Sequence, residues 1–305
     1  MLLHRSIQRF SALLLLAAVS LPAKAQAPAS AARATPDSMA VTTEWLAAHL
    51  SDPRVVVVEV TLNDSARVAA IPGSRALSYR RMAMVRDSIS TELPSIDSLR
   101  SLFEGLGISD DSRVVVYASE APMATRLLMT LDYIGHPRFS YLDGGLVKWR
   151  AEARPVVATE PRVTRGTLRP QPRSDVVVTA DWITARLGKP GLAFIDTRTT
   201  GEYNGTGNRS GMPSAGHLAG ARQLEWEELF GGSDGLQLKP RAELRALFDA
   251  RVKGGETVVT YCWVGYRASA TYFAARLLGY DARFYDGSYQ DWQRRKLPTT
   301  AGGRP

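Results

Sequence analysis

Apolar positions along this chain fall into two alternating kinds of segment. Short β-branched runs have the length and continuity of strands buried on both faces: Val55-Val56-Val57-Val58, Val114-Val115-Val116-Tyr117, Leu192-Ala193-Phe194-Ile195 and Val258-Val259-Thr260-Tyr261. Between them lie windows whose apolar residues recur at helical spacing, at 99–103, 121–134, 244–248 and 268–278. Strands alternating with helices predict an α/β fold, with parallel strands and helices on both faces of the sheet.

The pattern occurs twice. Val41-Thr42-Thr43-Glu44-Trp45-Leu46 returns as Val178-Thr179-Ala180-Asp181-Trp182-Ile183, and Leu99-Arg100-Ser101-Leu102-Phe103 as Leu244-Arg245-Ala246-Leu247-Phe248. Leu142-Asp143-Gly144-Gly145 with Trp149 is mirrored by Tyr285-Asp286-Gly287-Ser288 with Trp292. The separation stays at roughly 140 residues, a whole domain, so this is a duplication rather than a solenoid. Two α/β domains are expected, at 39–153 and 176–303, joined by a linker at 154–175 that carries four prolines and no periodicity.

The first residues belong to neither copy. His4, Arg5 and Arg9 precede the apolar run 13–19, and Ala23-Lys24-Ala25 offers small residues at the spacing a signal peptidase reads. A signal peptide at 1–25 and a flexible leader at 26–38 are expected, with an uncleaved anchor as the alternative. The apolar run is too short to span a bilayer comfortably. Export to a periplasm follows, with no stable membrane insertion after cleavage.

Composition narrows the chemistry. With 45% hydrophobic and 22% charged residues, the 305-residue chain is neither disordered nor fibrous. The net charge of +8 comes from singly scattered basic residues, so no nucleic-acid partner is expected. One cysteine excludes an internal disulfide and any cysteine-rich metal centre. No metal and no cofactor are expected. No His, Asp and Glu cluster has ligand spacing, and the glycine-rich stretch 201–216 lacks a nucleotide-binding arrangement. That stretch is longer than its counterpart and could close over a site.

The copies differ where chemistry would sit. In the second, Tyr261 leads into Cys262-Trp263-Val264-Gly265-Tyr266-Arg267 and then a helix; in the first, Tyr117 leads into Ala118-Ser119-Glu120. Ligands of parallel α/β sheets bind beyond the carboxyl ends of the strands. A loop turning into a helix start gathers backbone N–H groups, to which Arg267 adds a full charge. Such surroundings favour a thiolate and would hold a small anion beside it. The alternative for Cys262 is a buried small hydrophobe. Glu120 puts the wrong charge for an anionic donor into the first copy. Asp196 and Arg198 end a strand and could face the pocket or form a structural pair. Glu202 could pair with either arginine, and His217 could be a base or a structural residue. Trp263 and Tyr266 would shape the pocket mouth, and Val264 and Gly265 would line it.

From about residue 41 to 300 the chain resembles the rhodanese family of sulfurtransferases, in its tandem form with an inactive first and a catalytic second domain. The resemblance rests on Cys262-x4-Arg267, Ile195-Asp196-Thr197-Arg198 with Glu202-Tyr203, Gly216-His217-Leu218-Ala219-Gly220-Ala221, and Asp286-Gly287 with Trp292. It implies that Cys262 carries sulfur as a persulfide, taken from a small anionic donor such as thiosulfate or 3-mercaptopyruvate. Cyanide, a thiol or an acceptor protein would receive it. It also implies that Arg198 holds the donor. Trp263, Val264 and Tyr266 match neither well-known donor loop, which leaves the donor open. A persulfide carrier is the alternative, and a cysteine phosphatase or arsenate reductase a further one. Cysteine phosphatases of similar fold place five residues between cysteine and arginine, against four here.

Overall fold

The computed structural model describes residues 33–63, 69–207 and 216–302. The expected signal peptide, the first part of the leader and half of the glycine-rich stretch lie outside the described residues. Two five-stranded parallel sheets carry the fold. In the first half the strand order is Ala40–Val41, Phe139–Leu142, Arg113–Ala118, Val55–Thr61 and Arg75–Ser78. The second half repeats it with Val177–Val178, Ala282–Tyr285, Thr257–Tyr261, Leu192–Asp196 and Arg222–Gln223.

Alternation along the strands explains why both faces are covered. Val56, Val58, Val114 and Val116 enter one core, whereas Val57, Val115 and Tyr117 enter another on the opposite face. The second sheet divides likewise, with Ala193, Ile195 and Val258 on one side and Phe194, Val259 and Tyr261 on the other. The first-named core is common to both halves. Helix Ala121–Tyr133 packs on helix Ala268–Leu277, and the two inner sheet faces close over the pair.

The duplication extends to individual hydrogen bonds. Thr42 and Thr179 cap their helices by accepting from the N–H of Trp45 and Trp182. Trp149 and Trp292 donate their indole N–H to Pro155 O and Pro298 O. Tyr117 and Tyr261 accept from the N–H of Ile71 and Leu218.

One expectation changes. The end of the leader is docked: Pro36–Ser38 forms a short 3-10 helix, Arg33 pairs with Asp175, and Ala34 is buried in the shared core. The linker is strapped to the first half. Gly166 N donates to Glu104 O, Gln171 N to Ile134 O and Arg173 N to Tyr133 O. Gly166 lies so close that a Cβ there would come within 2.1 Å of Ile108 O. No helix among the described residues is long and apolar enough to cross a membrane.

Candidate active site

Strand Thr257–Tyr261 is the middle strand of the second sheet, so its carboxyl end opens between flanking elements. Cys262 follows it directly and is completely buried. The backbone is fixed on both sides. Cys262 N donates to Ser288 Oγ at 3.3 Å, and Tyr289 N and Gln290 N donate to the carbonyls of Cys262 and Trp263. The chain then turns through Gly265, at φ +79°, into helix Ala268–Leu277. A Cβ on Gly265 would meet Asp286 O at 2.9 Å, so close packing and backbone angle both require glycine. The N–H groups of Trp263, Val264, Gly265 and Arg267 donate to no protein acceptor among the described residues. These are the donors that a small anion beside the sulfur would use.

Arg267 is anchored rather than free. Its Nη1 and Nη2 donate to Glu202 Oε2 and Oε1 at 2.7 and 2.8 Å. Glu202 also closes a capping box with Thr199 at the start of its own short helix. Burial pushes the Glu202 carboxyl up, but Arg267 and Thr199 outweigh it and hold the group at about 2. The pair therefore ties the end of the cysteine loop to the chain that follows strand Leu192–Asp196.

A cleft of about 190 Å³ lies over the loop, lined by Glu120, Glu202, Trp226, Trp263, Val264, Tyr266 and Arg267. Four of the expected residues, Trp263, Val264, Tyr266 and Arg267, thus come together with Glu202 around one opening, with Gly265 buried beneath. Glu120 and Trp226 are additions. Glu120 crosses from the first half, where its Oε2 accepts from Tyr266 OH at 2.8 Å. It had been expected to burden its own copy; it faces the other.

Arg198 corrects an expectation. It is fully buried and does not line the cleft. Its Nε and Nη2 grip Asp196 at 2.9 and 2.6 Å, Nη2 also reaches Gly216 O, and the guanidinium stacks 3.8 Å from the Tyr289 ring centre. Asp196 is consumed by the same pair. Placed at adjoining strand-end positions, the two residues find each other before any ligand. His217 is also outside the cleft, stacked on Tyr203 at 3.7 Å with Nδ1 against Tyr203 O. Among the described residues no cluster of three or more His, Cys, Asp or Glu could hold a metal ion.

The first half reaches the loop from below and from the side. The hairpin of Met84–Arg86 and Ile89–Glu92 places Thr91 Oγ1 on Val264 O and Ser90 N on Gln290 Oε1. Arg126, from helix Ala121–Tyr133, donates through Nη2 to Asp286 Oδ1 and Thr91 O, both at 2.6 Å. Sequence reasoning missed Arg126. The available signal was one arginine, six residues from the helix's only other charge at Asp132, inside a mostly apolar helical window.

Known proteins share this plan. The Rhodanese-like domain family matches residues 42–152 and again 179–295. A thiosulfate sulfurtransferase of Azotobacter vinelandii is 32% identical over 251 residues, covering 81% of this chain and 91% of its own. A sulfur carrier protein of Thermus thermophilus is 32% identical over 275 residues, 83% of this chain and 92% of that one. A probable 3-mercaptopyruvate sulfurtransferase of Pseudomonas aeruginosa is 32% identical over 270 residues, 83% and 94% of the two chains.

Proposed function

The chain belongs to the rhodanese family of sulfurtransferases, and from that premise we propose that Cys262 moves sulfane sulfur from thiosulfate to a thiophilic acceptor. The observation carrying this reading is the chain's one thiol, set at a central strand end and opening a loop with four unengaged N–H donors. The Cys262 thiolate attacks the outer sulfur of thiosulfate. A Sγ–S bond forms, the bond to the sulfonate sulfur breaks, and its electron pair leaves with sulfite. The persulfide anion then sits among the loop donors. Cyanide or a thiolate attacks the outer sulfur, and the pair returned to Sγ restores the thiolate. No strong base is required, which agrees with the placement of His217 away from the cleft.

The buried sulfur and the likeness to a sulfur carrier protein favour a second reading, delivery of the persulfide to one acceptor protein. Intact mass spectrometry separates these. Thiosulfate should add one sulfur to the full chain, removable by cyanide and absent in Cys262→Ser. Repeated turnover with cyanide supports the enzyme, and a single stoichiometric transfer supports the carrier. Retention of the adduct in Cys262→Ser overturns both.

A further inference from the structure

We propose that Arg126, carried by the catalytically silent half, is a positioning residue that steadies the anionic sulfur of Cys262 from beneath its loop. The inference rests on Cys262 being the reactive thiol, but not on the identity of its donor. Arg126 is fully buried and comes from the middle of helix Ala121–Tyr133, among residues that otherwise pack the shared core. Its Nη2 is used twice, on Asp286 and on Thr91 O, which fixes the plane of the guanidinium above the Phe284 ring at 4.9 Å. Its Nε and Nη1 have no hydrogen-bond partner.

Buried Arg173 also leaves Nε and Nη1 without hydrogen-bond partners, so idle donors alone do not single out Arg126. A buried guanidinium with idle donors has given up hydration that something else must replace. The position of Nη1 sets Arg126 apart. A Cβ on Gly265 would come within 3.2 Å of it, so the idle donor lies directly against the middle of the cysteine loop. Arg267, the arginine that ends the loop, has both Nη atoms committed to Glu202. Arg198 is likewise committed to Asp196. Of the three arginines around Cys262, Arg126 is the one whose buried donors are left without a partner. Burial acts to lower the pKa of Arg126, yet it is raised, because Asp286, Tyr79 and the Cys262 sulfur all favour its charge.

The residue does not enter the cleft, so it acts on the sulfur through the loop's underside rather than on the donor molecule. It favours the thiolate before loading and the persulfide anion after it. It also makes the reactive state depend on the docking of the two halves, since helix Ala121–Tyr133 and Asp286 belong to different copies.

The test uses the full chain with Arg126→Met and Asp286→Asn together, so that no lone carboxylate stays buried. Arg126→Lys is the conservative variant. A control breaks another buried ion pair between the halves, Arg276 Nε to Asp132 Oδ2 at 2.9 Å, as Arg276→Met with Asp132→Asn. The first readout is the rate and pH profile of Cys262 alkylation by iodoacetamide. The second is persulfide formed from inorganic polysulfide, in which the thiolate displaces a shortened polysulfide that takes the electron pair of the broken S–S bond. Alkylation at neutral pH should fall about 10- to 150-fold in the Arg126 pair variant, the range of one charge-assisted hydrogen bond. Persulfide loading should fall with it, and Arg126→Lys should recover part of both. The control should stay within about threefold, because neither of its residues touches the cysteine loop and distant sites act independently. A folded Arg126 pair variant that reacts within threefold of wild type overturns the proposal, as does an equal loss in the control. Failure to react with thiosulfate would sink the donor assignment alone, because neither readout uses thiosulfate.

Discussion

The two copies follow the same sheet order and share their capping threonines, buried tyrosines and tryptophans, yet they part company at one junction. In the second half six residues, 262–267, separate strand Thr257–Tyr261 from helix Ala268–Leu277. In the first half strand Arg113–Ala118 runs to Ala118, and helix Ala121–Tyr133 begins after Ser119 and Glu120 alone. The silent copy therefore lacks more than a cysteine. It has no loop in which successive N–H groups could turn toward a ligand, although a cleft of about 320 Å³ beside Ala118 is lined by Glu59, Tyr117, Ser119, Leu146, Val147 and Arg150. What it gained instead is reach. With the junction shortened, Glu120 projects to Tyr266, while Arg126 and the hairpin that bears Thr91 grip the loop of the other copy. If the first copy is silent, as proposed above, its surroundings serve as scaffold for the second.

The comparison can be broken most severely by moving the nucleophile. Ala118→Cys combined with Cys262→Ser gives the first half a thiol at the equivalent strand end. If the loop rather than the residue makes the site, this variant should take up no sulfur from thiosulfate by mass spectrometry. A cyanide-labile adduct on the new thiol would show that the nucleophile alone was missing.

Why the loop was legible in the sequence and its brace was not has a physical explanation. Strands such as Val55–Thr61 and Val114–Val116 announce themselves because continuous β-branched runs are tolerated only where both faces are buried. Cys262 stood out against Ala118 for the same reason that makes any duplication informative: everything around it was held constant. The contact between the copies left no such trace. On helices Ala121–Tyr133 and Ala268–Leu277, residues such as Thr125, Arg126, Asp132, Ser269 and Arg276 read as polar, hence as solvent-facing. They satisfy one another in the interface instead, as Thr125 Oγ1 with Ser269 Oγ at 2.9 Å and Asp132 with Tyr272 at 2.7 Å show. Arg198 failed differently. Its motif was visible, but periodicity does not reveal that a neighbouring carboxylate two residues earlier will absorb it.

A second prediction concerns the anchor that the silent copy has no equivalent for, Arg267 on Glu202. Arg267→Ala should lower the efficiency of sulfur uptake about 10- to 150-fold, the range expected for losing charge-assisted hydrogen bonds that hold the loop end. It should also change acid stability. Glu202 is held at about 2 against an ordinary 4.5, so its stabilisation is complete above pH 4.5 and fades as pH falls toward 2. Without Arg267 only Thr199 still opposes the burial of Glu202. Its carboxyl then rises toward its ordinary value, and the stability it loses on acidification shrinks. Thermal melts of Arg267→Ala and Glu202→Gln across this range check the assignment: both should be less stable than wild type above pH 4.5, and both should lose less stability than wild type on acidification. Identical profiles in all three proteins would show that the pair does not anchor the loop.

The smallest expected effect tests whether the silent copy still has a say in what enters. Glu120 is exposed and contributes one negative charge to a cleft that must admit a dianion. Glu120→Gln removes that charge while leaving an amide oxygen to accept from Tyr266 OH, so the loop keeps its lateral tie. Exposed charges a few ångströms apart interact by roughly 0.2–1 kcal/mol. The KM for thiosulfate should therefore fall by a factor of about 1.5 to 5 with kcat unchanged, the sign of weakened repulsion on entry. Because the interaction runs through solvent, raising the salt to 1 M, where screening acts within about 3 Å, should erase the difference. A fall in kcat would point to disturbance of the loop itself, and a difference that survives high salt would place Glu120 among the groups that hold Tyr266 rather than those that meet the donor. A salt-sensitive change in KM alone fits only a carboxylate that works as a gate charge, borrowed from a copy with no site of its own.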